Sequence, residues 1–137
     1  MNEVSKLFDQ RSLKYRSIYD PSSSKNLLHQ EKILRAALIE KFIVKHFSLT
    51  KRDVIVDVGC GIGNVLLNLK SNGIKAKMYG LDISKNMINL ANKNLDLSGL
   101  KDIYFINAGI KDNLKPANIV LSLGVIGYQK RQEDFMN

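Results

Sequence analysis

Val54-Ile55-Val56-Asp57-Val58-Gly59-Cys60-Gly61-Ile62-Gly63-Asn64 is a β-branched run that ends in a carboxylate and breaks into three glycines at alternate positions. An apolar periodicity of helical type follows, in Val65, Leu66, Leu67 and Leu69. Buried strand, tight turn and helix N-terminus in that order let a nucleotide-like ligand lie against bare backbone. The glycines meet two needs there. A Cβ would fill the space the ligand must occupy, and such turns often demand a positive φ.

The neighbouring residues decide which ligand the turn serves. Ala76-Lys77-Met78-Tyr79-Gly80-Leu81 reads as the next strand, and it ends in Asp82. An acid at that tip, roughly twenty residues past the glycines, is placed to bind a ribose diol. The dinucleotide fingerprint G-x-G-x-x-G is not met, because Leu66 stands where its third glycine belongs. The spacing is D-x-G-x-G-x-G, with the acid ahead of the glycines.

That pattern resembles motif I of the class I S-adenosylmethionine (SAM)-dependent methyltransferases, and Leu81-Asp82-Ile83-Ser84 is similar to their motif II. Ile103-Tyr104-Phe105-Ile106-Asn107-Ala108-Gly109 resembles the family's third strand and the turn beside the adenine, with Asn107 in place of the usual Asp. Asn118-Ile119-Val120-Leu121-Ser122-Leu123-Gly124-Val125-Ile126-Gly127-Tyr128 resembles the fourth strand and the loop beneath the methyl donor, with Asn118 a further departure. The stretch Phe8-Asp9-Gln10-Arg11-Ser12-Leu13-Lys14-Tyr15-Arg16-Ser17-Ile18-Tyr19-Asp20 is similar to the lead of small-molecule methyltransferases, including quinone- and tetrapyrrole-modifying kinds. Arg16 replaces their usual Asp.

The resemblance implies an α/β fold: a Rossmann-like parallel sheet with helices on both faces and N-terminal helices packed on or over it. Only the first four of the family's seven strands are expected within residues 53–137, so this stretch reads as a SAM-binding half-domain behind a helical lid at 1–52. The resemblance also implies a site. Gly59, Cys60, Gly61 and Gly63 would bring backbone close to the cofactor's methionine part, and Asp57 would orient its amino end. Asp82 would accept the ribose hydroxyls. Ile83 and Met87 would flank the adenine, with Asn107 and Ala108 at its polar edge. Ser122 and Gly124 would offer carbonyls near the sulfonium, and Tyr15 or Tyr19 would touch the methionine carboxylate. Packing is an equal reading for Met87 and for the two tyrosines, as is a plain loop polar for Asn107. No residue is assigned to catalysis.

Length allows one domain with a real core. The single cysteine excludes an internal disulfide framework and fits a reducing cytoplasm, and Cys60 reads as a small filler of the turn. No His/Cys cluster has metal spacing, and no apolar run approaches the roughly 18 residues of a membrane span. The net charge of +8 is uneven: residues 1–52 hold 11 Lys and Arg against 5 Asp and Glu, whereas 53–137 hold 10 against 8. A basic N-terminal surface would attract an anionic acceptor. Lysine outnumbers arginine 16 to 5, and nucleic-acid readers lean on arginine for bidentate contacts. Nucleic acid is therefore disfavoured as partner.

The apolar spacing predicts helices over 3–19, 26–47, 64–71 and from Ser84 to about 98, and strands over 54–57, 76–81, 103–106 and 119–122. The helix at 26–47, with Leu27, Leu34, Leu38, Phe42 and Phe47 among its apolar set, is expected to pack on the sheet. The fourth strand would be a bare edge, open to a homodimer or a completing partner. The expected activity is methyl transfer from SAM, yielding S-adenosyl-L-homocysteine, to a small-molecule acceptor, since the Asn/Asp-Pro-Pro-aromatic run of amino-methylating nucleic-acid enzymes is missing. A non-catalytic scaffold or half of a split enzyme is the alternative, and an NAD-dependent dehydrogenase stands third.

Overall fold

The β-branched segments form one parallel sheet in the computed structural model, in which residues 27–112 and 116–123 are described. The elements are α1 (Leu27–His46), β1 (Val54–Val58), α2 (Asn64–Ser71), β2 (Lys77–Asp82), α3 (Lys85–Ser98), β3 (Ile103–Asn107) and β4 (Ile119–Ser122). The strand order is β3-β2-β1-β4, all parallel. The chain thus runs outward from β1 to β3 and then returns to the far side of β1. This is the expected Rossmann-like beginning. The helix at 3–19, with Tyr15 and Tyr19, lies outside the described residues, as do Gly124 and Tyr128.

Local signals set the helix ends. Ser84 caps α3 by accepting from the Met87 N–H at 3.2 Å, and Gly99 closes it at φ 69, where a Cβ would be strained. α2 begins directly from the glycine turn, with Gly63 as its N-cap and no side-chain cap. The end of β3 is tied to its neighbour: the Asn107 side chain and the Ala108 N–H both donate to the Asp82 carbonyl. Asn118, a departure in the sequence, has a local task. Its Oδ1 accepts from the Val54 N–H at 2.8 Å and its own N–H donates to the Val54 carbonyl at 2.9 Å, which fixes the start of β4 against β1.

The core lies on one face of the sheet, where Ile55, Met78, Ile103, Phe105 and Leu121 meet Leu66 and Leu69 of α2 and Ile88 and Ala91 of α3. Among the described residues all three helices feed this face. On the other, Val56, Val58 and Leu81 form a smaller cluster with Tyr79 beside it. The residues joining β3 to β4, 108–118, show no helix among those described, and about a dozen residues is the least a helical crossover needs. The expectation of helices on both faces is therefore met on one face only within the described residues.

α1 also departs from expectation. Among its described side chains it joins the core through Ile43 and Ile39 and leans on α2, with Asn68 donating to Glu40. Leu34, Leu38 and Phe42, one row at i, i+4 and i+8, are 62 %, 68 % and 56 % exposed. Its apolar residues ring much of the helix rather than forming one stripe, so periodicity showed a helix without showing which side is buried.

Candidate functional site

Open α/β sheets bind ligands outside the carboxyl ends of their strands, at the point where strand order reverses. Here that point lies between β1 and β4. Asp57, Asp82, Asn107 and Ser122 stand in the last turns of β1, β2, β3 and β4, so parallel pairing gathers them at one end.

The turn after β1 is bonded to the tip of β2. Gly59 and Cys60 donate their N–H groups to the Leu81 carbonyl at 2.7 and 2.9 Å, and the Gly61 N–H donates to Asp82 Oδ2 at 2.9 Å. Asp82 Oδ1 accepts from the Ser84 N–H at 2.9 Å. The Asp82 carboxylate thus organises both the glycine turn and the start of α3.

Gly61 and Gly63 both hold positive φ, for different reasons. A Cβ on Gly61 would meet nothing within 4 Å, so its face is open to a ligand. A Cβ on Gly63 would sit 2.4 Å from the Phe105 ring, and one on Gly80 2.6 Å from that ring and 2.8 Å from Cys60 Sγ. Asp57, Gly80 and Phe105 share one row across the sheet. Gly80 lets the Phe105 ring lie across β2, beneath the glycine turn. The ligand-space argument therefore fits Gly61, while Gly63 answers to packing. Neither Gly80 nor Phe105 carried any signal in the chain, because the contact joins residues far apart in it. Asn94 was missed for the same reason: its amide donates to the Ile62 carbonyl at 3.1 Å and holds the turn from α3.

Asp57 is buried, and its carboxyl is pushed up to about 7, first by that burial and then by the Asp82 charge. Burial and the nearby Asp57 and Asp82 charges push the Cys60 thiol well above its ordinary range. Met87 is fully buried in the first turn of α3. Ile83 and Ala108 are half-buried at the strand tips, and Asn107 is exposed with its amide committed to Asp82. The Ser122 hydroxyl is the one buried side-chain polar atom among the described residues with no hydrogen-bond partner. No group of His, Cys, Asp and Glu among the described residues suits a metal ion.

Two acids beside an open glycine, with an unsatisfied hydroxyl at the neighbouring strand tip, suit a ligand that carries positive charge and hydroxyls. A methyltransferase domain family matches residues 49–137, well over half of the chain. The chain belongs to that family. Its methyl donor is S-adenosyl-L-methionine.

The methyltransferase domain is 32% identical over 71 residues to a release factor glutamine methyltransferase of Buchnera aphidicola, covering 52% of this chain and 25% of that protein. It is 30% identical over 88 residues to a 23S rRNA uracil-C5 methyltransferase of a Marinomonas species, covering 62% of this chain and 19% of that one. The chain thus spans about a quarter or less of these two curated relatives. Its fold is that of the magnesium protoporphyrin IX methyltransferase of Synechocystis, solved with bound SAM, at TM-score 0.77 and 21% identity over 95% of this chain and 64% of the other. No described helix is long and apolar enough to cross a membrane.

Proposed function

We propose that the ends of β1, β2 and β4 hold SAM for transfer of its methyl group to a small-molecule acceptor. The observation that carries the reading is the placement of Asp57 and Asp82 beside the open glycine turn, at the reversal of strand order. When bound, the cofactor supplies an electrophilic methyl on a sulfonium sulfur. Gly61 leaves the backbone bare on the ligand side. The Asp82 carboxylate at the β2 tip would accept ribose hydroxyls, and the Asp57 carboxylate would attract the amino group. The Ser122 hydroxyl, without a protein partner, would bond the ligand at the β4 tip. Transfer of this kind asks the protein chiefly to align donor and acceptor and to exclude water.

Calorimetry with SAM, S-adenosyl-L-homocysteine and NAD tests the cofactor part. Binding of the first two and not the third is expected. For the acceptor, the missing Asn/Asp-Pro-Pro-aromatic run supports a small molecule. Nucleic acid is the second reading, favoured by the sheet surface described below. Methyl transfer from labelled SAM into small-molecule pools and into RNA separates the two.

The raised carboxyl of Asp57 predicts a pH dependence of definite sign. Its folded value, about 7, lies above the reference 3.8. Its contribution to unliganded stability is therefore full below about pH 4 and is lost as pH rises through about 7. Cofactor affinity runs the other way, because the cation needs the carboxylate. Affinity should fall about tenfold from pH 8 to pH 6 through this group alone. Asp57→Asn should bind SAM more weakly at pH 8 and lose that part of the pH slope. Calorimetric titrations of both proteins across this range check it, and parallel slopes would rule Asp57 out.

A further inference from the structure

Two rows of side chains cross, in register, the face that carries no helix among the described residues: Val120, Val56, Tyr79, Tyr104, and Ser122, Val58, Leu81, Ile106. Both rows are buried at β1, with Val56 1 % and Val58 3 % exposed, and open at β3, with Tyr104 45 % and Ile106 40 %; Val120 on β4 is exposed as well. The β3 end is aromatic. Tyr79 and Tyr104 stack with centroids 5.3 Å apart and planes at 25°, and Lys77 Nζ stands 5.9 Å from the Tyr104 centroid. Rings fixed on paired strands offer π surface at little further cost in conformational freedom.

Cations also collect at one end of this sheet. Because the strands are parallel, the residues that lead into β1, β2 and β3 share one end of the sheet. Lys51 and Arg52 precede β1, Lys75 and Lys77 open β2, and Lys101 precedes β3. The acids in these same lead-ins are Asp53, whose Oδ2 accepts the Thr50 N–H at 2.6 Å, and Asp102. Five cations against two acids leave that end positive; Lys51, Arg52 and Lys75 border α1 and the end of α2, and Lys77 reaches the exposed Tyr104 ring.

We propose that this face docks a single-stranded nucleic acid, with an unpaired base stacked on Tyr104 and phosphates held by Lys77 and Lys101. A single strand presents the two features the surface matches, flat π faces and closely spaced negative charge. A second copy of the chain would bring the same positive end and be repelled. An anionic lipid surface would meet the lysines as well, and the vesicle arm of the test separates it. Tyr104 lies three residues below the tip of β3, about 10 Å away, so this is a docking surface and not the reaction centre. The inference stands apart from the cofactor site and reverses the expectation, drawn from the scarcity of arginine, that nucleic acid is not a partner.

The test is fluorescence anisotropy of a labelled oligouridylate of about 12 nucleotides, within the usual range of single-strand site sizes, titrated with the 137-residue chain. Binding that weakens with salt is expected. Tyr104→Ala should weaken it by about five- to a hundredfold and Tyr104→Phe should restore it. Lys77→Ala and Lys101→Ala should each lower the salt slope by about one. SAM titrations of the same variants should be unchanged; their failure would strike the cofactor reading instead. Absence of binding by the parent chain, or equal affinity in Tyr104→Ala, overturns the proposal. So does capture by phosphatidylglycerol vesicles but not by RNA, or a dimer in light scattering that Tyr104→Ala dissolves. Should Tyr104→Ala fail to fold, Lys77→Glu combined with Lys101→Glu decides the matter: loss of RNA binding supports the surface, and retention sinks it.

Discussion

Asp82→Ala is expected to weaken SAM binding by on the order of a hundredfold or more. Two effects add. Bonds from ribose hydroxyls to a carboxylate contribute about 1.5–3 kcal/mol each, so losing both corresponds to a factor of about a hundred at the lower end of that range. The same carboxylate also holds the Gly61 and Ser84 N–H groups at 2.9 Å, so the glycine turn loses its anchor on β2. Asp82→Asn separates the effects. Its amide oxygen can keep one backbone bond, while the charge that favours the cofactor is gone. Calorimetry on both variants, with thermal melts beside it, is the check. A melting temperature that drops in Asp82→Ala even without cofactor is expected from the anchoring role. Parent-like affinity in Asp82→Ala would remove the residue from the site.

The second large effect is expected in stability. Gly63→Ala puts a Cβ 2.4 Å from the Phe105 ring at a residue with φ +84. Left-handed backbone costs an ordinary residue about 1–2 kcal/mol, and overpacking a core costs about 1–3 kcal/mol more. Folded domains are stable by only about 5–15 kcal/mol, so this one methyl should lower the melting temperature by many degrees. Gly80→Ala meets the same ring at 2.6 Å without the backbone strain and should cost less. Gly61→Ala has open space around its Cβ and should lose cofactor affinity out of proportion to its loss of stability. Shrinking the ring with Phe105→Leu should partly rescue Gly63→Ala and leave Gly61→Ala unimproved. Urea unfolding of this set, read as a double-mutant cycle, tests the assignment. Equal destabilisation by Gly61→Ala and Gly63→Ala would show that Phe105 is not what requires Gly63.

Short-range chemistry carried the elements and most of the candidate site. The β-branched run into Asp57, the alternating glycines and the Ser84 cap each act over a few residues, so they can be read along the chain. They located β1, α2, β2 and α3 to within a residue or two. The acid at the tip of β2 was legible because its spacing from the turn follows from one β-α-β unit. What only the tertiary structure decided rests on contacts between distant residues. Register across β1, β2 and β3 puts Asp57, Gly80 and Phe105 in one row, which makes Gly63 a packing glycine and buries Asp57 until its carboxyl titrates near 7. The same register stacks Tyr79 on Tyr104, and parallel pairing gathers lysines from three separate lead-ins at one end. The exposed side of α1 was hidden for a related reason. Periodicity records that apolar residues recur, while burial depends on which neighbour packs against them, and for α1 that neighbour is a narrow stripe of α2.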